Sequence, residues 1–558
     1  MRFRIPVIAL TVLGTSVSAF GQISLTSSVQ TAAAQAAAQP SSDSVRRLSI
    51  DDAVKLALEQ NLGIRIQRID PQISDVGVAQ ARAFWAPNLS TSFNRTSQTQ
   101  QSTSAFAGSG SSILNGVFSN QVALNQTLPW GGANYAVTWD NRRITTTNLS
   151  ATFSPQLTSG LNFQFSQPLL RNFEVDQIRQ AVATSKKGRE LSDIQLEGVV
   201  TQTLRNVRNA YWDLSYAINN LKAQQESLAL SQQSLRDNQK RVEIGTMAPI
   251  DIVQAQAEVA SNEERVIVAE AAIKAAQDNL RALILDPAAA DFWNVVFEPT
   301  DAPAFTAQAI DVDAAVRNAL DKRSDLRSAK NSLEQSDINI KYYRNQIKPD
   351  VNANVTYITT AAGGTQLSPV TDLAAIIAGT ASRSVIGTHG YGSVLGDVFQ
   401  NTYPNWTVGI TVGYPLGSNV AQANLARVRL QYEQAQTQLK SLELQVSTQV
   451  RNVARNVQTN QQRVQSARAS RELQEKKLEA EEKKMAAGMG QTFFVFQAQR
   501  DLSLARTAEI QAIADYNKSL VDFEAVQLVP LAGTGGGFGG GIVTAGSGTL
   551  QVGGITRQ

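Results

Sequence analysis

The chain has 558 residues, 50 Lys plus Arg against 47 Asp plus Glu, no cysteine and a single histidine, His389. That length is too great for one ordinary core unless the fold is elongated or repetitive. The composition excludes thiol nucleophiles, cysteine metal sites, disulfides and most histidine-based catalysis, and with no basic run it gives no footprint for nucleic acid.

Residues 1–19 read as a signal peptide: Arg2 and Arg4, an apolar core from Ile5 to Leu13, and the small residues Val17-Ser18-Ala19. No cysteine offers an N-terminal lipid anchor. Residues 20–47, rich in Ala, Gln, Ser and Thr, are expected to be a flexible leader. Beyond them no run approaches the ~18 apolar residues of a membrane helix, so a chain that crosses a membrane must do so with strands.

A first structural repeat is expected over 48–285. It opens with helical pattern from Ser49, a plausible N-cap, interrupted at Asn61-Leu62-Gly63 and resuming from Ile64 to Trp85 with a kink at Pro71. Strand alternation fills 88–167, clearest in Leu89-Thr91-Phe93, Tyr135-Val137-Trp139 and Leu161-Phe163-Phe165. A heptad seam follows: Val200, Leu204, Val207, Tyr211, Leu214, Ile218, Leu221, then Leu228, Leu235 and Val242. It breaks at the turn 245–248 and returns as Ile252, Val259, Val266, Ile273 and Leu280, which makes an antiparallel coiled-coil hairpin.

Residues 286–309, with Pro287, Pro299 and Pro303, read as an irregular connector. A second repeat is expected over 310–529: a helix ending at Pro349, strands within 350–414 around a long Gly/Ser/Thr-rich loop, and a seam through Leu425, Val428, Tyr432, Leu439, Val446, Val453 and Val464. It turns at 488–491 into a shorter helix, and residues 530–558 form a Gly-rich tail expected to be disordered. Val54, Ala57, Leu58, Arg65 and Pro87 recur 262 residues later as Val316, Ala319, Leu320, Arg327 and Pro349. Arg208-Asn209 and Gln254-Ala255-Gln256 recur as Arg455-Asn456 and Gln497-Ala498-Gln499.

The fold class is therefore mainly α with membrane β-strands, a duplicated unit of long antiparallel coiled-coil helices plus strands. Four strands common to both units cannot close a barrel alone. Three chains would supply twelve, giving a trimeric transmembrane β-barrel joined to a trimeric α-helical barrel about 100 Å long. The extra strand pair around 121–143 leaves the strand count per chain open.

The duplicated unit, Pro87 and Pro349 before strands, Gln167-Pro168-Leu169-Leu170, and the run from Gly245 to Gln256 resemble the TolC-type outer-membrane efflux proteins, over nearly all of Leu48 to Val529. The resemblance implies a homotrimeric channel-tunnel in the outer-membrane lipid, with a large periplasmic extension. It implies a periplasmic adaptor (membrane fusion) protein and an inner-membrane transporter as partners, small molecules or polypeptides as cargo, and no catalytic, cofactor or metal site. On it, Gly245, Thr246, Met247 and Ala248 with Gly488, Met489, Gly490 and Gln491 form the adaptor-docking tip. Aligning Gly488 with the family's turn glycine puts Phe494 and Gln497 where acidic side chains commonly narrow the tunnel mouth. Asp251 and Gln254 are the corresponding gate candidates of the first hairpin.

A secreted coiled-coil filament protein of flagellin type is the alternative. An enzyme is the third class, but carboxylate pairs such as Asp51-Asp52 and Glu481-Glu482 read as solvated helix faces. His389 reads as an exposed loop residue. Trp85, Trp130, Trp139 and Trp406 suit an interfacial girdle or core packing equally.

Overall fold

The computed structural model describes residues 44–101, 112–289, 292–301, 305–378, 380–417, 419–487 and 489–531. The signal peptide, the leader up to residue 43, Gly488 and the tail from residue 532 lie outside the described residues.

The first repeat opens with strand β1 (Ser44–Leu48) and helices α1 (Ile50–Gln60), α2 (Leu62–Gln67) and α3 (Asp70–Ala83). Strands β2 (Asn88–Gln101), β3 (Ser112–Thr127), β4 (Asn134–Thr146) and β5 (Phe153–Pro168) follow. Helices α4 (Gln177–Glu243) and α5 (Ile250–Ile284) complete it, and β6 (Val295–Pro299) lies in the connector. The second repeat runs α6 (Val312–Lys322), α7 (Ser324–Gln346), β7 (Asp350–Leu367), α8 (Leu373–Ala378), β8 (Val385–His389), α9 (Tyr391–Phe399), β9 (Pro404–Gly413), α10 (Val420–Ala486) and α11 (Thr492–Val526).

The duplication is close in length. α1 and α6 have 11 residues each, α4 and α10 have 67, and α5 and α11 have 35. At ~1.5 Å per residue the long helices span about 100 Å. Side-chain oxygens start the same elements in both halves: Ser49 accepts from the Asp52 amide, Asp311 from Ala314, Asp176 from Arg179 and Asn419 from Ala421. The halves differ where α7 runs unbroken but its counterpart splits into α2 and α3. Pro71 sits in the first turn of α3, where its missing N–H costs nothing. The equivalent position, 71 + 262 = 333, is Leu333, which continues the helix.

The helices form a wall one layer thick. α5 packs on α4, α4 on α11 and α11 on α10; nearer the strands, α3 and α7 pack on α4, and α7 also on α10. The core is accordingly divided. Val207, Ala210, Tyr211, Leu214, Leu280 and Ile284 close the first hairpin over Leu48 and Phe297, and Val446, Val450, Val453 and Val526 close the second over Ala319 and Leu326. In the distal half of the first hairpin, the most buried line is not Leu228, Leu235 and Val242, which are half-buried. It is Ser231, Asn238, Ala255, Asn262 and Ala269, the other line of the same heptad. In the second hairpin Leu478, Val495, Ala498 and Leu502 fill that region with apolar side chains.

Two corrections concern the connector and the leader. β6 pairs in parallel with β1, so an ordered strand stands inside each segment that composition marks as irregular. A buried tyrosine ties each repeat to this region. The Tyr211 hydroxyl donates to Asp301 Oδ2 (2.9 Å) and accepts from the Asp301 amide (3.1 Å), with the Leu48 carbonyl at 3.1 Å. Tyr516 donates to the Thr306 carbonyl at 2.9 Å. Burial pushes the Tyr211 phenol from 10.0 up to about 12.

Tyr211→Phe is expected to lower stability by about 1–3 kcal/mol, because the part-buried Asp301 amide loses its acceptor. Since the folded phenol titrates above the unfolded one, the hydroxyl's contribution is complete below pH 10.0 and lost as pH rises through about 12. Denaturant unfolding of the two proteins should therefore differ at neutral pH and converge above pH 12.

Candidate channel wall, hairpin tips and gate

The strands form one antiparallel sheet in the order β2-β3-β4-β5-β7, with β9 and β8 on the far side of β7. β9 pairs with Asp350–Thr359 and the short β8 with Gly364–Leu367. Registers and the period-2 alternation of side chains sort the residues into two faces. One carries Leu89, Phe93, Val122, Leu124, Val137, Trp139, Leu161, Phe163, Val355, Tyr357, Trp406, Val408 and Ile410. The other carries Ser92, Asn94, Gln121, Thr138, Asn162, Gln164, Asn354, Thr356, Thr407 and Thr411. The polar face is concave: a cavity of about 950 Å³ is lined by Ser92, Asn94, Gln121, Thr158, Asn162 and Thr360, among others. Such a sheet suits lipid on its convex side and water on its concave side.

The segment between β7 and β9 is more ordered than the long loop expected there. α9 lies across the apolar face, burying Val394 and Val398 against Ala361, Leu157 and Leu161. It covers the polar groups of that face: Tyr391 donates to Asn141 Oδ1 (2.5 Å), which also accepts from Ser159 Oγ (2.7 Å), and Thr359 Oγ1 donates to the Val398 carbonyl. His389 is exposed, in β8 opposite Gly364. Trp130 and Trp406 are exposed, while Trp85 and Trp139 are half-buried, Trp139 donating to Ser159 Oγ.

At the helical end α4 closes through Gly245 at φ +78°, a conformation glycine adopts without strain. The Gly245 amide reaches the Val242 carbonyl and the Thr246 amide the Arg241 carbonyl, so the turn satisfies the helix's last acceptors. Met247 is half-buried and Ala248 exposed. In the second turn the Met489 amide bonds the Lys484 carbonyl, Met489 is 80 % exposed, Gly490 is half-buried and Gln491 is exposed. Asp251 sits half-buried in the first turn of α5 and Gln254 is exposed. Phe494 and Gln497 lie on the exposed face of α11, opposite the buried Val495, Phe496 and Ala498; the Phe494 ring meets Phe493 edge-on at 5.7 Å.

The contact between the hairpins was not legible in the sequence. α4 meets α11 through polar pairs: Arg205 and Asn209 with Asp522 (2.6 and 3.2 Å), Arg208 with Glu524, Lys518 with Asp213, Gln224 with Thr507, and Arg506 with Glu226. These partners lie about 280–317 residues apart in sequence, and no periodicity marks them.

Among the described residues no helix is long and apolar enough to cross a membrane. The family model described as "Outer membrane efflux protein" matches residues 53–284 and 315–526, one block in each repeat. No curated protein matches the chain. Solved structures with a similar fold include the outer membrane protein VceC from Vibrio cholerae (16% identity, TM-score 0.58, 86% of this chain and 96% of that one). A membrane protein from Pseudomonas aeruginosa (15%, 0.61, 86% and 90%) and the CmeC outer membrane channel of Campylobacter jejuni (16%, 0.57, 86% and 85%) also match. The filament alternative finds no support among these.

Asp522→Ala is expected to cost about 1–3 kcal/mol, because it leaves the largely buried Arg205 guanidinium without its carboxylate. Denaturant unfolding checks the value. Arg208→Ala, at an exposed pair, should cost well under ~1 kcal/mol.

Proposed function

Since this chain belongs to the outer membrane efflux protein family, we propose that three copies close into one channel-tunnel that carries small molecules or polypeptides out of the cell. The observation that carries this reading is that the wall is open along both edges. β2 and β9 each have a strand on one side only. Hydrocarbon offers no water to unpaired backbone groups, so these edges require partners. On the β2 side α3 exposes Ile73 and Val76, and α5 exposes Val253, Ile267 and Val268. On the β9 side α10 exposes Leu430, Leu444 and Leu473. A threefold ring joins β2 to the next copy's β9 and lays α3 and α5 against its α10. The sheets then line a pore through the outer-membrane lipid, and the long helices form a tube reaching about 100 Å into the periplasm.

The turn 245–248 and the described residues 489–491 of the second turn follow the ends of α4 and α10 remote from the sheet. They are proposed to dock a periplasmic adaptor, which links the tunnel to an inner-membrane transporter. Closure is assigned to an uncharged constriction: Phe494 narrows the threefold mouth, Gln497 hydrogen-bonds a neighbour, and Gln254 and Asp251 flank it from the first hairpin. Asp251 also favours its own helix N-terminus.

The assembly is tested by the mass of the detergent-solubilised protein, expected at three chains; a stable monomer would overturn it. Met247→Glu and Met489→Glu should abolish export and leave that oligomer intact in the membrane. Unchanged export would remove the turns as the docking surface.

Closure without an acidic ring should be insensitive to multivalent cations, since only closely held like charges bind such counter-ions tightly. In planar bilayers, a trivalent cation on the periplasmic side should leave single-channel conductance unchanged. Tight block that disappears in Asp251→Ala would transfer the gate to the first hairpin.

A further inference from the structure

The two repeats carry different insertions at the same point of the duplicated unit. In the second, α8, β8 and α9 fill the segment between β7 and β9, and α9 lies across the convex face, outside the pore side. In the first, β3 and β4 stand between β2 and β5 and extend the sheet itself. β3 pairs with β2 from Asn88–Asn125 to Gln101–Ser112, and β4 pairs with β5 from Asn134–Ser166 to Ile144–Gln156. β3 and β4 hold the same two-faced pattern as their neighbours, with Val122, Leu124, Val137 and Trp139 outward and Gln121, Ala123, Ala136 and Thr138 inward.

The base of this hairpin is built into the wall. Gln126 donates to the Trp85 carbonyl, and Gln167 of β5 donates to the Gly131 carbonyl at 2.8 Å. Gly132, at φ +67°, lies so close to the segment leading into α4 that a Cβ there would meet the Asn172 carbonyl oxygen at 2.5 Å. The hairpin is therefore wall, and each chain brings six long strands: β2, β3, β4, β5, β7 and β9.

We propose that the β3–β4 hairpin widens the outer pore: in the threefold assembly proposed above, on which this inference rests, the wall has eighteen strands and forms an exit for bulky hydrophilic solutes. Barrel diameter grows about linearly with strand number, so eighteen strands in place of twelve enlarge the cross-section roughly twofold. The lining supports the solute class. Among the described inward positions of the six strands, the charged residues are Asp140, Arg142 and, at the base, Asp350, which pairs with Arg171 at 2.5 Å. The remainder are chiefly Ser, Thr, Asn, Gln, Ala and Gly, which hydrogen-bond a passing solute without selecting its charge.

The hairpin can be removed without changing the parity of the wall. β2 and β4 run in the same direction, so deleting 112–146 leaves β2 to pair with β5, with odd-numbered residues outward on both. Because the chain has no cysteine, Asn162→Cys places a single thiol in the lumen. It is probed from outside intact cells with maleimide-polyethylene glycols of graded size. The full chain should react with reagents that the deletion variant excludes; an equal size cut-off in trimers of both would overturn the wider wall. Should the deletion variant not assemble, the full chain carrying Ser92→Cys and Gln121→Cys decides: a disulfide within the membrane-inserted oligomer places β3 beside β2, and its absence overturns the proposal. The mass of the oligomer is read separately. A number other than three overturns the threefold assembly and the count of eighteen with it, whereas three chains with an unchanged cut-off overturns the count alone.

Discussion

A wall one element thick has no interior, and that constraint governs the rest of this structure. Each helix and strand can bury side chains only against its neighbours to left and right, so the core is split into small clusters strung along the wall. Stability then depends on the quality of successive seams. The chain uses two kinds. Within each hairpin the seam includes apolar residues at heptad spacing, as at Val207, Leu214, Val446, Val453 and Val464. Between the hairpins, α4 meets α11 through charged and amide pairs that are mostly part-exposed.

Duplication explains the economy of this arrangement and also where it departs from symmetry. Two copies of one unit supply helices of matching length, so the ends of the wall come level. The copies then diverge at single positions with local consequences. Asn61 ends α1, caps α2 through the Ile64 amide and donates to the Leu283 carbonyl. Its counterpart, 61 + 262 = 323, is Arg323, whose guanidinium is buried between Asp325, the Val526 carbonyl and Gln449. Burial lowers its pKa while Asp325 raises it. The longer arginine spans to α10, which the asparagine cannot do, so the second repeat is tied together across three helices where the first is tied across two.

What the sequence made legible follows from the range of the interactions. Heptads, caps and strand alternation are local patterns, and the long helices, β5, β7 and β9 could be read from them. β3 was harder because its upper half is apolar on both faces, Ile113 and Val117 against Leu114 and Phe118, which blurs the period of two. The end of β2 was hidden for the opposite reason: Thr96 to Gln101 is polar on both faces. α9 holds two glycines in nine residues and reads as loop until the apolar sheet beneath it is present to bury Val394 and Val398. The α4–α11 pairs join distant segments and leave no trace at all. The turn residues and the proposed gate residues could be placed on the chain, but the roles proposed for them depend on neighbours outside it.

The difference between the two kinds of seam has a mechanical consequence. Apolar seams resist sliding, since each heptad residue is seated between side chains of the facing helix and a shift exposes it. Part-exposed ion pairs contribute little individually and exchange partners at small cost. Arg506 already stands between two acceptors, Glu226 of α4 and Glu475 of α10, at 3.4 and 3.6 Å. A displacement of one hairpin against the other therefore exchanges one charged partner for the next, while each hairpin keeps its own core. The α4–α11 seam is thus the one that resists sliding least. Among these pairs the part-buried Arg205–Asp522 contact is held most firmly, because it combines a 2.6 Å distance with an arginine only 16% exposed.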